Sequence, residues 1–144
     1  MDKKLTKEWI SALQRSGCRV TGARSAVVET VISADRALTP LDIHQSAKRR
    51  YPALGLVTVY RTLEKLEELG LVERVHHEHG CQAFISAGKG HQHLLVCQNC
   101  GRITHFEGDD LERLIAELSD RTGYRIREHW LQLTGTCHEC QATS

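Results

Sequence analysis

The chain has 144 residues, which is enough for one domain or for two small ones. Its formal charge of +1 hides an asymmetry: residues 1–80 hold 13 Lys/Arg and 10 Asp/Glu, a net +3, whereas residues 81–144 hold 6 and 8, a net −2, so attraction to nucleic acid is expected from the first half. No basic start followed by an apolar stretch and no run of about 18 apolar residues is present, which argues against a membrane protein and predicts a cytoplasmic one.

Four helices are predicted in the first half of the chain. Thr21 is suited to cap the second of them, and Thr39 followed by Pro40 is a strong start signal for the third. The third is expected to stop before Pro52, which disfavours helical geometry in the preceding residue. The predicted helices cover residues 6–16, a segment that follows Thr21, a segment from Pro40 to about Tyr51, and about 57–69.

A β-hairpin is predicted after the fourth helix, with strands at 71–76 and 82–85 and a polar bend between them. Helices followed by a small hairpin are typical of a winged helix. The segment SAGKG at 86–90 is small and polar, which predicts a hinge.

A second unit is predicted after the hinge, with strands at 94–97 and 102–106, an amphipathic helix at 109–122 and a strand at 125–133. The sequence therefore predicts an α+β fold with a winged-helix domain at 1–85, a hinge at 86–90 and a small α/β domain at 91–144.

Two pairs of cysteines lie at the ends of the second unit: Cys97 with Cys100, and Cys137 with Cys140. Four thiolates make a closed tetrahedral site for structural zinc, Zn(II), and a reducing cytosol disfavours structural disulfides. The 36 residues between the pairs exceed the spacing of a simple zinc ribbon, so the metal would join the first and last parts of the subdomain.

Two other interpretations of the cysteines stay open. One pair could be a dithiol redox centre, or all four could be buried core residues. Cys18 and Cys81 stand outside the pairs and are expected to be small buried hydrophobes, with redox sensing or metal contact as the alternatives.

A second metal site is indicated by His91 and His93, whose alternation places both imidazoles on one side of an extended chain. Glu112 on the predicted helix and His129 on the predicted last strand could complete a shell of three nitrogens and one carboxylate. Such a shell accepts Zn(II), Fe(II), Mn(II) or Co(II). The alternative is that these histidines lie on a solvated surface.

Together these motifs resemble the ferric uptake regulator (Fur) family over nearly the whole chain. The resemblance rests on Arg19-Val20-Thr21 with Arg24, on GLVTVYRTLEKLEELGLVERV at 55–75, on HQHLLVCQNCGRITHFEG at 91–108, and on the final C-x-x-C pair.

The resemblance implies a homodimer with an N-terminal winged helix and a C-terminal dimerisation domain, which represses metal-uptake or related genes when the sensed metal is bound. By position, His91, His93, Glu112 and His129 match the family's regulatory site between the domains. The resemblance leaves Fe(II) and Zn(II) as the principal candidates for the sensed metal, with Mn(II) as a third.

Two departures from the family pattern bear on metal binding. Gln92 and Leu94 replace histidines that serve a further site in some members, including the peroxide-sensing type, so that site is expected to be missing or rebuilt. A cluster at the predicted bend is expected to be a solvated hairpin tip, with zinc binding as the alternative; it contains His76, His77, His79 and Cys81.

DNA reading is assigned to the fourth helix, where Thr58, Arg61 and Lys65 fall opposite the apolar stripe and Tyr60 lies beside them. The alternative is an ordinary solvated helix face. Arg19, Arg24 and Arg74 are predicted to contact phosphates, which positions the protein without reading sequence. A twofold dimer requires a palindromic operator in double-stranded DNA.

Two alternative functions remain at this point. One is a winged-helix regulator with purely structural zinc that responds to thiol oxidation or peroxide, although the departures above disfavour peroxide sensing. The other is a dithiol oxidoreductase. No set of nucleophile, base and oxyanion donors indicates an enzyme, and neither a small organic substrate nor a membrane partner is expected.

Overall fold

The computed structural model describes residues 2–76, 82–87 and 92–143, with the side chain of Asp109 excepted. Its internal contacts divide the chain into two compact units, Met1–Ala87 and Gly88–Ser144. The predicted hinge function of residues 86–90 stays a prediction.

The described part of the first unit is helical, with a small hairpin at its end, as the sequence predicts. Buried side chains recur on its helices at the 3.6-residue period, among them Trp9 and Leu13 on the first and Val59, Leu63 and Leu66 on the fourth. The elements are α1 (Lys3–Arg15), α2 (Gly22–Ser33), α3 (Pro40–Ala47), α4 (Leu56–Glu68), β1 (Val72–Val75) and β2 (Ala83–Ser86).

Local signals start two of these helices as predicted. The Thr21 side chain accepts a hydrogen bond from the Arg24 N–H at 3.3 Å. At the start of α3, Asp42 N–H donates to Thr39 at 3.2 Å and Thr39 N–H donates to Asp42 at 3.0 Å, which is a complete capping box. Both caps satisfy N–H groups that have no partner within the helix.

Helix α3 ends earlier than predicted, at Ala47 and not near Tyr51. The backbone N–H groups of Arg50 and Tyr51 both donate to the Ala47 carbonyl at 3.0 Å. The helix therefore ends in a hydrogen-bonded turn, and the restriction that Pro52 places on the preceding residue is not what ends it.

The hairpin is antiparallel and carries core residues on β2. Its register pairs Val72 with Ser86 and Arg74 with Phe84. Phe84 also forms an isolated bridge with Leu38, the residue before Thr39. We call this β1–β2 hairpin the wing.

The second unit is built on a three-stranded sheet of order β4-β3-β5, in which β3 pairs antiparallel with β4 and parallel with β5. Helix α5 has the predicted bounds, and Gly123 ends it in a left-handed conformation with φ 74°. The elements are β3 (Gln92–Cys97), β4 (Ile103–Glu107), α5 (Asp109–Thr122), β5 (Gln132–Gly135) and α6 (His138–Ala142).

The predicted strand at 125–133 is wrong over most of its length, because strand β5 begins only at Gln132. The parallel register places Leu94 opposite Gln132, so the first residue of β3, Gln92, corresponds to position 130. Residues 125–129 therefore lie beyond the start of β3. In the described part of the chain the ladder with β3 spans Gln132–Gly135, and that is where the strand forms.

The second unit buries few side chains. Among its described residues, those classed as buried are His93, Leu94, Val96 and Cys97. Several large apolar side chains remain exposed: Leu95, Leu114, Leu118, Tyr124, Ile126, Trp130 and Leu133. So small a core usually needs a metal or a second subunit to be stable.

No helix in the described ranges is long and apolar enough to cross a lipid bilayer.

Candidate metal centres and DNA-reading surface

The four paired cysteines are brought together by three elements of the second unit. Cys97 is the last residue of β3, and Cys100 lies in the turn that follows, where Gly101 adopts φ 76°. Cys137 is the N-cap of α6, and Cys140 lies within that helix. The last residue of β5 lies beside the first cysteine turn, since Gln98 N–H donates to the Gly135 carbonyl at 2.8 Å.

The geometry of this group fits zinc. The four sulfur atoms all lie within 4.8 Å of one another, and the Sγ atoms of Cys100 and Cys137 are 3.8 Å apart. Zn–S bonds of about 2.3 Å in a tetrahedron give S···S edges of about 3.8 Å. In the described part of the chain, no other group of three or more His, Cys, Asp or Glu side chains has its ligand atoms so close together.

The cysteine thiols also perturb one another's ionisation. Hydrogen bonds from the backbone N–H groups of Cys137 and Cys100 lower the pKa of Cys97 to about 6. Side-chain hydrogen bonding with Cys137 and burial raise the pKa of Cys140 to about 12. The surrounding groups thus stabilise one thiolate but disfavour several negative charges at the same place. A bound cation would remove this repulsion and stabilise the other thiolates.

An ion pair joins the two cysteine turns. The Arg102 guanidinium follows Cys100 and lies 3.0 Å from the Glu139 carboxylate, which stands between the other two cysteines. Glu139 raises the pKa of Arg102, so the cation stays charged beside the thiols. This contact stabilises the alignment of the turns across the site.

The predicted regulatory set is only partly described. His91 lies outside the described residues. His93 is 4% exposed, and its ring centroid is 5.3 Å from that of half-buried His129 and 5.6 Å from that of Phe106. Glu112 is exposed on the first half of α5, and the ligand atoms of the three described members do not all lie within 4.8 Å of one another.

Gly108 leaves room for the His93 imidazole. A Cβ atom added at Gly108 would lie 2.6 Å from His93 Cδ2 and 2.9 Å from Nε2, closer than real contacts allow. The sequence analysis did not single out this glycine, because only the folded chain places the start of α5 against β3.

We therefore expect Gly108→Ala to displace the His93 ring and weaken metal binding at the predicted regulatory site about tenfold or more. Isothermal titration of the zinc-loaded protein with Mn(II) measures this. Gly135→Ala is the control, because a Cβ there meets nothing within 4 Å. Equal affinities in the two variants would contradict the expectation.

Four of the predicted DNA contacts lie around one recess of the first unit. The recess has a volume of about 260 Å³ and lies where the start of α2 meets α4. Arg24 donates to the Arg19 carbonyl at 2.6 Å, which fixes one guanidinium at its rim. The recess is lined by Arg19, Thr21, Ala23, Arg24, Thr58 and Arg61.

The remaining predicted contacts on α4 lie outside this recess. Tyr60 is 48% exposed, whereas Lys65 forms an ion pair with Glu68 at 3.0 Å. Arg74 of the wing is engaged by protein groups: it donates to Glu67 and to Gln82. Neither acceptor is evident from the sequence, because Glu67 and Gln82 lie seven and eight positions from Arg74.

The wing-tip cluster lies largely outside the described residues, which omit His77, His79 and Cys81. His76 is exposed just after β1. Cys18 packs against the core of the first unit but is only half-buried, whereas a buried residue was expected.

Comparison with known proteins identifies the family. The model of the ferric uptake regulator family matches residues 15–134, most of the chain. The chain belongs to the ferric uptake regulator family. Its members are transcriptional regulators, which favours the regulator interpretation over a dithiol oxidoreductase.

Relatives and solved structures agree with the membership. The chain is 33% identical to the ferric uptake regulation protein of Neisseria meningitidis over 135 residues, covering 92% of this chain and 93% of that one. It is 31% identical to the peroxide operon regulator of Bacillus subtilis over 137 residues, covering 93% and 92%. The Vibrio cholerae ferric uptake regulator structure has a TM-score of 0.70 at 28% identity, covering 88% and 98%.

Proposed function

We propose that this member of the ferric uptake regulator family is a metal-dependent repressor that binds palindromic operators as a homodimer and controls metal-uptake or homeostasis genes. The observation that carries the DNA-binding part is the recess in the first unit, which gathers Arg19, Arg24, Thr58 and Arg61 at the start of α4. We propose no catalytic step for this protein, and we propose that it acts in the cytoplasm.

DNA is read by the exposed side of α4. Arg61 donates to guanine, and Tyr60 contacts a thymine methyl in the major groove. Thr58 and Lys65 contact bases or phosphates from the same face, while Arg19 and Arg24 bind phosphates and set the register. Arg74 is left out of this set because two of its guanidinium nitrogens donate to Glu67 and Gln82 and its plane lies over the Phe84 ring.

Two metal sites are proposed in the second unit. Zn(II) at Cys97, Cys100, Cys137 and Cys140 supplies structural stability, which the sulfur geometry supports. An exchangeable Fe(II) or Zn(II) ion, with Mn(II) as a third candidate, is held by His91, His93, Glu112 and His129. The neighbouring rings of His93 and His129 support this second site.

Coupling between metal and DNA follows from thermodynamic linkage. A metal raises DNA affinity only if it binds the DNA-binding conformation of the dimer more tightly than the other conformations. DNA must then raise metal affinity by the same factor. The exposed apolar side chains of the second unit support a dimer, because a second copy would cover them.

Arg61→Ala is expected to weaken operator binding by at least about thirtyfold, because each half-site loses a base contact and the dimer has two. Fluorescence anisotropy at fixed salt and saturating metal measures this. Arg36→Ala is the matched control: it removes the same charge from the segment after α2, where Arg36 pairs with Asp35 and no DNA contact is proposed. Equal losses in both variants would contradict the reading role of Arg61.

A further inference from the structure

The Arg74 side chain is held by groups from two other segments of the first unit. Its Nε lies 2.5 Å from Glu67 Oε2, and its Nη1 donates to Gln82 Oε1. Its Cζ lies 5.3 Å from the ring centroid of Phe84. Glu67 belongs to the last turn of α4, and Gln82 and Phe84 belong to the returning side of the wing. One guanidinium therefore joins the reading helix to both sides of the hairpin.

This arrangement uses features that only arginine has. A guanidinium is planar, carries five N–H donors at fixed angles and can stack on an aromatic ring. In Arg74, Nε donates to the Glu67 carboxylate, Nη1 donates to the Gln82 amide oxygen, and the guanidinium plane lies over the Phe84 ring. The hydrogen bond to Glu67 also raises the pKa of Arg74.

The partners of Arg74 are themselves fixed. Phe84 is 5% exposed, and its backbone N–H and C=O form hydrogen bonds of 2.8 and 2.9 Å with Leu38. It lies directly opposite Arg74 in the wing ladder. Glu67 follows Leu66, which is fully buried in the core. Arg74 thus connects points that the rest of the fold already holds in place.

A phosphate contact through Nε or Nη1 would require Arg74 to give up Glu67 or Gln82. The side chains of Arg74 and Glu67 are 36% and 35% exposed, so the pair is partly withdrawn from water. We propose that Arg74 is a positioning residue, which holds the wing against the C-terminal end of α4 and affects DNA binding through the placement of the wing. The proposal rests on the DNA-reading function proposed above and replaces the predicted phosphate contact of Arg74.

Two neighbouring glutamates give the sharpest test, because the positioning function predicts different outcomes for them. Glu67→Ala removes the partner of Arg74 and is expected to weaken operator binding about fivefold, although it removes a negative charge. Glu68→Ala removes the same charge one residue further along and frees Lys65, so binding is expected to stay equal or become tighter. Tighter binding by Glu67→Ala would overturn the proposal, since it would show that freeing Arg74 creates a phosphate contact.

Substitutions of Arg74 itself give a second test through the dependence of affinity on salt. A plot of log operator affinity against log salt concentration has a negative slope. Losing a phosphate contact makes this slope less steep by about one per contact, whereas losing a positioning residue leaves it unchanged. Arg74→Ala is expected to weaken binding about fivefold with the wild-type slope. Arg74→Lys keeps the charge but not the two-edged contact, so it is expected to show most of the same loss. Wild-type affinity in Arg74→Lys, or a reduced slope in Arg74→Ala, would overturn the proposal.

Hydrogen exchange of the full chain without DNA separates this proposal from the proposed function. Arg74→Ala and Glu67→Ala are expected to speed exchange of the wing amides at 72–75 and 83–86, while α1 keeps its wild-type rate. Unchanged wing exchange in both variants would overturn the positioning function even if the protein binds DNA. Faster wing exchange in a protein that binds no operator would instead refute only the DNA-reading function.

Discussion

Replacing Cys100 with serine is expected to unfold the second unit and abolish dimerisation. The described part of this unit buries only a few apolar side chains around β3, so its own core supplies little stability. The four sulfur atoms join the end of β3 to α6, and structural zinc sites of this kind contribute about 10–16 kcal/mol in small peptides. Losing one ligand removes a large part of this stabilisation.

The zinc content, the mass in solution and the circular dichroism of the variant measure this effect. The wild-type chain is expected to hold one tightly bound zinc that protects four thiols from alkylation, and the variant is expected to lose it. Cys18→Ser is the control, because that thiol packs at the edge of the other unit's core. A Cys100→Ser protein that remains a folded dimer with full zinc content would show that the site is not structural.

Replacing His93 with alanine is expected to weaken binding of the exchangeable ion by about a hundredfold or more, and so to remove the metal-dependent gain in operator affinity, while the structural zinc stays bound. His93 is buried beside His129 and Gly108, and the proposal makes it a direct ligand of the exchangeable ion. Disturbing groups that merely orient a ligand already costs about tenfold to a hundredfold in affinity, so losing the ligand should cost at least as much.

Operator binding by this variant is measured while free Zn(II), Fe(II) or Mn(II) is buffered. Gln92→Ala is the matched control, because adjacent residues of a strand point to opposite faces. His129→Ala provides a second variant at a less buried position and is expected to behave like His93→Ala. A normal metal response in both histidine variants would refute the regulatory assignment, whereas loss of folding in one alone would leave the other to test it.

Local patterns in the sequence predicted the elements that local chemistry determines. Thr39 and Pro40 predicted the start of α3, because a capping box forms within four consecutive residues. The bounds of α5, predicted from its amphipathic pattern, were confirmed as well, and in the structure Gly123 permits the left-handed end. The C-x-x-C spacing indicated zinc ligands because each short segment brings its own two cysteines together, wherever the two segments lie in the fold.

Features that depend on distant partners could not be predicted in this way. The strand expected from residue 125 forms only from Gln132, where the parallel register with β3 begins in the described part of the chain. Arg74 has the charge of a phosphate ligand, but its partners Glu67 and Gln82 lie seven and eight positions away. The close approach of Gly108 to His93 likewise depends on β3, which lies earlier in the chain.

The most direct test of the account is an operator-binding titration of the wild-type, zinc-loaded protein at fixed salt, repeated at buffered free concentrations of Zn(II), Fe(II) and Mn(II). The account predicts that at least one of these ions increases operator affinity about tenfold or more, without changing the four protected thiols. Operator affinity that stays the same across all three series would contradict metal-dependent repression, even in a protein whose structural zinc is fully bound.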